Sequence, residues 1–103
     1  MPQGEPALSV LRRHNAHVSG SGPEAMVFAH GFGCDQNMWR FVVPAFADRY
    51  RAILFDHVGA GGSDLSAYDA EKYSTLGGYA EDVIELCREL EQNPFILVRS
   101  LRR

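Results

Sequence analysis

The stretch His30-Gly31-Phe32-Gly33 is where the sequence first offers chemistry. It follows a continuous apolar run, Ala25 to Ala29, and a turn of small residues there leaves backbone N–H groups free to point into a cleft. Donors placed in this way form an oxyanion hole. The same four residues also suit a plain strand-to-helix turn, and their spacing alone permits both readings. Asp56-His57-Val58-Gly59 could supply an acid or a base, although an aspartate at a strand end most often caps the turn that follows.

Other candidates carry less. Gly59, Gly61 and Gly62 also follow a strand, but Asp64 stands where a dinucleotide fingerprint needs its third glycine, and no GxxxxGK[ST] run exists. His14 and His17 could pass for a metal pair. They lie at a predicted hairpin with no carboxylate or cysteine close in sequence, and read as surface turn residues. Cys34 and Cys87 make no CxxC pair, which argues against a disulfide scaffold or a structural zinc. No cofactor and no metal is expected.

The background composition narrows the class. At 103 residues the chain makes one small domain or part of a larger one, and 46% hydrophobic with 22% charged residues is the balance of a folded protein. A net charge of -3 gives no electrostatic footprint for nucleic acid. Three of the ten basic residues, Arg99, Arg102 and Arg103, sit at the very end. No apolar run approaches the ~18 residues of a membrane helix, and the start, Met1-Pro2-Gln3-Gly4-Glu5, lacks the basic and apolar regions of a secretory signal. The expected location is cytoplasmic.

The elements that must position these residues alternate. Leu8 and Val10, with Leu11, read as a first strand, and His14-Asn15 turns into a short second one ending near Val18. Gly20-Ser21-Gly22-Pro23 breaks the chain, and Ala25 to Ala29 reads as a strand buried on both faces. Asp35 can cap a helix with Met38, Trp39, Val42, Val43 and Phe46 on its apolar positions, which Pro44 bends or ends early. Ala52 to Phe55 is another buried strand. From Ser74 or Thr75 a clearer helix follows, with Leu76, Tyr79, Ala80, Val83, Leu86, Cys87 and Leu90 near one face. Phe95 to Val98 completes the set as a third buried strand. This order predicts an α/β fold: a mostly parallel sheet with helices on both faces.

Several of these segments resemble a known family. Ala29 to Trp39 (AHGFGCDQNMW) is similar to the segment after the third strand of α/β-hydrolases, and Ile53 to Asp64 (ILFDHVGAGGSD) to the segment after their fourth. With Arg13-His14-Asn15 and Gly77-Gly78-Tyr79-Ala80-Glu81-Asp82-Val83, they resemble one subgroup, the RsbQ-like sigma-B energy-stress regulators and the plant karrikin and strigolactone receptor hydrolases. The resemblance implies a serine hydrolase of a small, apolar, carbonyl-containing molecule such as an ester or lactone. It implies that the N–H of Phe32 is the first oxyanion-hole donor and that His30, Gly31 and Gly33 shape its turn. It further implies that His30 is not the catalytic base and that the loop from Asp56 to Asp64 is a structural corner beneath the pocket. It also implies, as an alternative, a ligand sensor that acts with a phosphatase partner of the stress pathway.

The resemblance ends near Val98. A G-x-S-x-G elbow would follow, but the sequence reads Arg99-Ser100-Leu101-Arg102-Arg103. Ser100 is therefore only a positional candidate: it lacks both glycines, and His14, His17, His30 and His57 all precede it. The expectation is that residues 1–103 are the amino-terminal part of a single, incomplete α/β-hydrolase domain without competent catalysis, shortened by a shifted reading frame, a gene-model error or a premature stop.

Overall fold

The computed structural model describes residues 5–31, 33–92 and 94–100. Its chain order is helix α1 (Glu5–Arg13), strands β1 (His17–Ser19), β2 (Glu24–Ala29) and β3 (Tyr50–Leu54), helix α2 (Leu76–Glu89) and strand β4 (Phe95–Arg99), with short 3-10 turns between them. The strands lie in the order β1-β3-β2-β4. β2 runs parallel to both neighbours, pairing Val27 with Ile53 on one side and with Leu97 on the other, while β1 is antiparallel to β3. The chain leaves β2 toward β3 and then returns to its other side as β4, so the sheet reverses direction at β2. In open α/β sheets the crevice for a ligand forms at such a reversal, beyond the carboxyl ends of the strands.

The apolar run of β2 is explained by its central place. Ala25, Val27 and Ala29 face α1 and α2, where Val10, Val83, Leu86 and Cys87 join Ile53 and Phe55 in one core. Met26 and Phe28 face the other way and pack with Trp39 and Ala52. Helical elements thus cover both faces, but those on the second face are single 3-10 turns, Gln36–Trp39 and Val43–Ala45. Asp35 does cap the first turn, its Oδ1 accepting the N–H of Asn37 at 2.9 Å. No α-helix continues from it, because Pro44 has no N–H to donate and its ring clashes with the carbonyl four residues earlier.

Two further expectations are corrected. Leu8, Val10 and Leu11 belong to α1, not to a strand. Val10 and His14 are buried four residues apart with Leu11 partly buried beside them, which is a helical stripe that two alternating apolar positions could not reveal. β4 is not buried on both faces: Ile96 is 39% and Leu97 48% exposed, because β4 is an edge strand among the described residues. Phe95 and Val98 still pack on the two cores.

Candidate functional site

The reversal at β2 opens into a cavity of about 1260 Å³. Ala29, His30 and Gly31 line it from the end of β2, and Leu97, Arg99 and Ser100 from the end of β4. The parallel ladder that pairs Ala29 with Arg99 continues one step, so the N–H of Ser100 donates to the carbonyl of Ala29 at 3.2 Å. Ser100 therefore sits at the carboxyl end of the sheet, beside the turn that follows β2. Phe32 lies outside the described residues. Gly33 lines the cavity with φ of +80°, a conformation that disfavours any residue with a Cβ.

His30 is buried, and both of its nitrogens are taken. Its Nε2 accepts the backbone N–H of His57 at 2.9 Å, which fixes the proton on Nδ1. That Nδ1–H donates to the carbonyl of Gly31 at 2.9 Å. His57 answers with its own Nε2–H, given to the carbonyl of His30 at 3.2 Å. The remaining nitrogen of His57, Nδ1, is buried without a hydrogen-bond partner among the described residues. Burial first, and the neighbouring His30 next, push His57 down to about 4. Through these hydrogen bonds the two rings clamp the strand ends together, and the His57 ring is neutral near pH 7.

Asp56 is the pin of the corner below. Its Oδ1 accepts the N–H of Gln36 at 2.9 Å, and its Oδ2 accepts the N–H of Gly62 at 2.8 Å and the amide of Asn15 at 3.1 Å. Burial alone would raise its carboxyl, but these donors together hold it below the ordinary carboxylate range. Gly61 must be glycine here: φ is +51°, and a Cβ would come within 2.6 Å of Asp56 Oδ2.

His14 is not a surface turn residue. It is completely buried, its Nδ1 bonds the carbonyl of Asp56 at 3.2 Å, and its Nε2 stands 4.0 Å from Asp82. Asp82, also buried, accepts the hydroxyl of Tyr73 at 2.7 Å and the ammonium of Lys72 at 2.8 Å. Burial, and then that bond to Asp82, push the Tyr73 hydroxyl up to about 12. His17 is exposed on the edge strand β1, and no cluster of three or more metal-ligating side chains occurs among the described residues.

The sequence does not mark Arg40 or Tyr68, and it places Leu76 and Tyr79 only on the apolar face of their helix, yet all four line the cavity. Tyr79 was expected on the core face of its helix, and instead its ring stands edge-on to His57 with centroids 5.2 Å apart. Leu76 is largely exposed at the start of α2. A large apolar residue left open at a helix start beside a predicted cleft is the one signal that could have marked this wall.

Comparison with known proteins bears out the fold. A family described as alpha/beta hydrolase fold matches residues 24–98. The chain is 45% identical to the Karrikin insensitive 2 receptor CA of Petunia hybrida over 86% of its own length and 33% of the receptor's. A strigolactone esterase of Pisum sativum is 41% identical over 79% of the chain, which is 30% of the esterase. Among solved structures, a hydrolase from Oleispira antarctica superposes with a TM-score of 0.87 and 41% identity, over 90% of this chain and 34% of that one. The chain thus spans about a third of the length of these relatives.

Proposed function

Because the chain belongs to the alpha/beta hydrolase fold family, we propose that it is the amino-terminal part of one such domain, built to hold a small ester or lactone and not to cleave it unaided. The observation that carries the reading is the neighbourhood of Ser100. It lines the cavity beside the turn after β2, and the family resemblance assigns the oxyanion-hole N–H to Phe32. His30, Gly31 and Gly33 shape that turn. Both nitrogens of His30 and the Nε2 of His57 are committed to backbone groups, the remaining nitrogen of His57 is buried in a ring pushed down to about 4, and a serine hydroxyl is a weak nucleophile unless a base activates it. The nucleophile, acid and base of the whole enzyme belong to the two thirds of the relatives' length that this chain does not span.

The test is a burst assay on the purified chain with an activated ester. We expect no burst, and no change on Ser100→Ala; a burst that disappears in Ser100→Ala defeats the reading. Translating the DNA downstream of Arg103 in all three frames is the companion experiment. A G-x-S-x-G run followed by an acid and a histidine supports a shortened hydrolase, and its absence counts against one.

The alternative reading is a ligand sensor, in which ligand capture changes a protein contact. A phosphatase of the stress pathway is the partner that the sigma-B regulator resemblance implies. Ligand-dependent pull-down of a phosphatase tests it.

A further inference from the structure

A buried polar cluster next to the cavity wall has no part in the hydrolase reading. Tyr73 is buried, and its ring stacks on Tyr68 with centroids 5.6 Å apart and leans on Tyr79 at 4.8 Å. Tyr68 and Tyr79 line the cavity, so Tyr73 supports two rings of its wall. One carboxylate holds Tyr73 in turn. The Oδ2 of Asp82 accepts its hydroxyl at 2.7 Å, while Oδ1 accepts the ammonium of Lys72 at 2.8 Å. The same Oδ2 stands 4.0 Å from the Nε2 of His14.

That nitrogen is where a further proton fits. The Asp56 carbonyl can only accept, so Nδ1 of His14 carries the proton of the neutral ring. Nε2 is then a bare lone pair facing a buried carboxylate, with no hydrogen-bond partner among the described residues. A proton there turns the contact into an ion pair, about 1 Å beyond hydrogen-bond reach. The two sides are not equally free to close that gap. His14 is tied twice to Asp56, through Nδ1 at 3.2 Å and through its own carbonyl, which takes the Asp56 N–H at 2.7 Å. Asp56 is itself fixed by Asn15, Gln36 and Gly62. The carboxylate of Asp82 is therefore the side that travels, and Tyr73 either follows Oδ2 or releases it. The backbone beside Tyr73 gives no room, because the Lys72 carbonyl is packed so closely on Gly78 that a Cβ there would collide with it. In either case the Tyr73 ring turns against Tyr68 and Tyr79.

The charges around His14 come from every side. Burial opposes its proton most, and Arg13 of α1, paired with Glu85 at 2.8 Å, opposes it slightly. The Asp56 carbonyl and, from α2, Asp82 and Glu85 favour it. Lys72 is the cation already on Asp82, and the nearby His57 stays neutral until about 4.

We propose that His14, Asp82 and Tyr73 form a proton-operated relay from the core to the cavity, in which a proton on Nε2 of His14 draws Asp82 toward it and Tyr73 shifts the wall made by Tyr68 and Tyr79. That this regulates ligand binding rests on the cavity being the ligand site proposed above. The movement of the wall does not, and it is measured without a ligand.

The experiment is NMR on the whole chain carrying ring-labelled tyrosine, followed from about pH 7.5 to about pH 5. Four tyrosines report, and Tyr50 on β3 is the reference. The rings of Tyr68, Tyr73 and Tyr79 are expected to shift along one curve with a midpoint below 6.5, while Tyr50 holds its position. His14→Gln should abolish the curve. Tyr73→Phe keeps the ring and loses only the hydroxyl, so Tyr68 and Tyr79 should already be displaced at pH 7.5 and no longer respond to pH; it decides the matter if His14→Gln does not fold. No titration in this range, a curve that survives His14→Gln, four tyrosines that move together as in global unfolding, or Tyr68 and Tyr79 unmoved by Tyr73→Phe each overturn the relay. The Ser100 burst assay reads none of these rings, so the hydrolase reading and the relay fail separately.

Discussion

Asp56 illustrates how one side chain can hold a site without touching what the site binds. Its two oxygens gather donors from Asn15, Gln36 and Gly62, so the turn after α1, the turn after β2 and the loop after β3 meet on a single carboxylate. Asp56→Asn keeps the shape but exchanges one acceptor oxygen for an NH2 group, which then faces a donor. A buried donor left unpaired costs about 1–3 kcal/mol, with more for a group that was bonded to a charge. We expect the variant to lose about 3 kcal/mol, read as a lower denaturant midpoint with an unchanged slope. A loss below about 0.5 kcal/mol, the range of an ordinary surface change, would mean that the corner does not depend on the carboxylate. His14, equally buried, works on the same joint: its ring bonds the Asp56 carbonyl while the Asp56 N–H donates to the His14 carbonyl at 2.7 Å.

At the scale of elements, α2 carries the clearest division of labour. Leu86 has no exposed surface and sits among Val10, Val27 and Phe55, whereas Ile84, two residues earlier, is 50% exposed. Leu86→Ala is expected to cost about 3–4 kcal/mol for lost transfer and a residual cavity, and Ile84→Ala under about 1 kcal/mol. Comparable losses from both would contradict the docking of α2 seen here. The face of α2 was legible from spacing, as was β2 from its unbroken apolar run, because both patterns are local. Val10 was misassigned since an apolar pair two apart suits a strand until His14, a polar residue, is recognised as the next buried position of a helix. β4 misled for the opposite reason. Phe95 to Val98 is as apolar as β2, but exposure depends on what lies alongside, and only β2 pairs with it among the described residues. The candidate site divides in the same way. His30, Gly31, Gly33 and Asp56 stand in turn motifs that can be read, while Arg40, Tyr68, Leu76, Tyr79 and Leu97 reach one cavity only through the fold.

For the molecule as a whole, the buried imidazoles tie stability to pH in one direction. His57 is lowered from 6.5 to about 4, first by burial and then by the adjacent His30. His14 is lowered as well, by burial above all, although the Asp56 carbonyl and the Asp82 carboxylate act to raise it. From α1, Arg13 lowers His14 slightly further, and from α2, Glu85 opposes it. In both cases the folded chain holds the proton less readily than the unfolded chain. Their contribution is therefore complete above pH 6.5 and is lost as pH falls below it, for His57 over the span down to about 4. For His57 the span corresponds to at most about 3 kcal/mol, a large share of the stability of a domain this small. Asp56, whose carboxyl is already held low, gives up its own share only at more acid pH, and Tyr73 and Cys87, raised to about 12 and about 11, do not titrate in this window. Urea midpoints measured at about pH 7.5, 5.5 and 4.5 should fall steadily, with an unchanged slope against denaturant. His57→Gln, which keeps a donor for the His30 carbonyl but has no proton to gain, should flatten part of that fall while lowering the midpoint at pH 7.5 only modestly. A midpoint that stays level down to about pH 4.5 would mean that these rings are not held neutral between the strand ends, and the clamp between His30 and His57 would have to be abandoned.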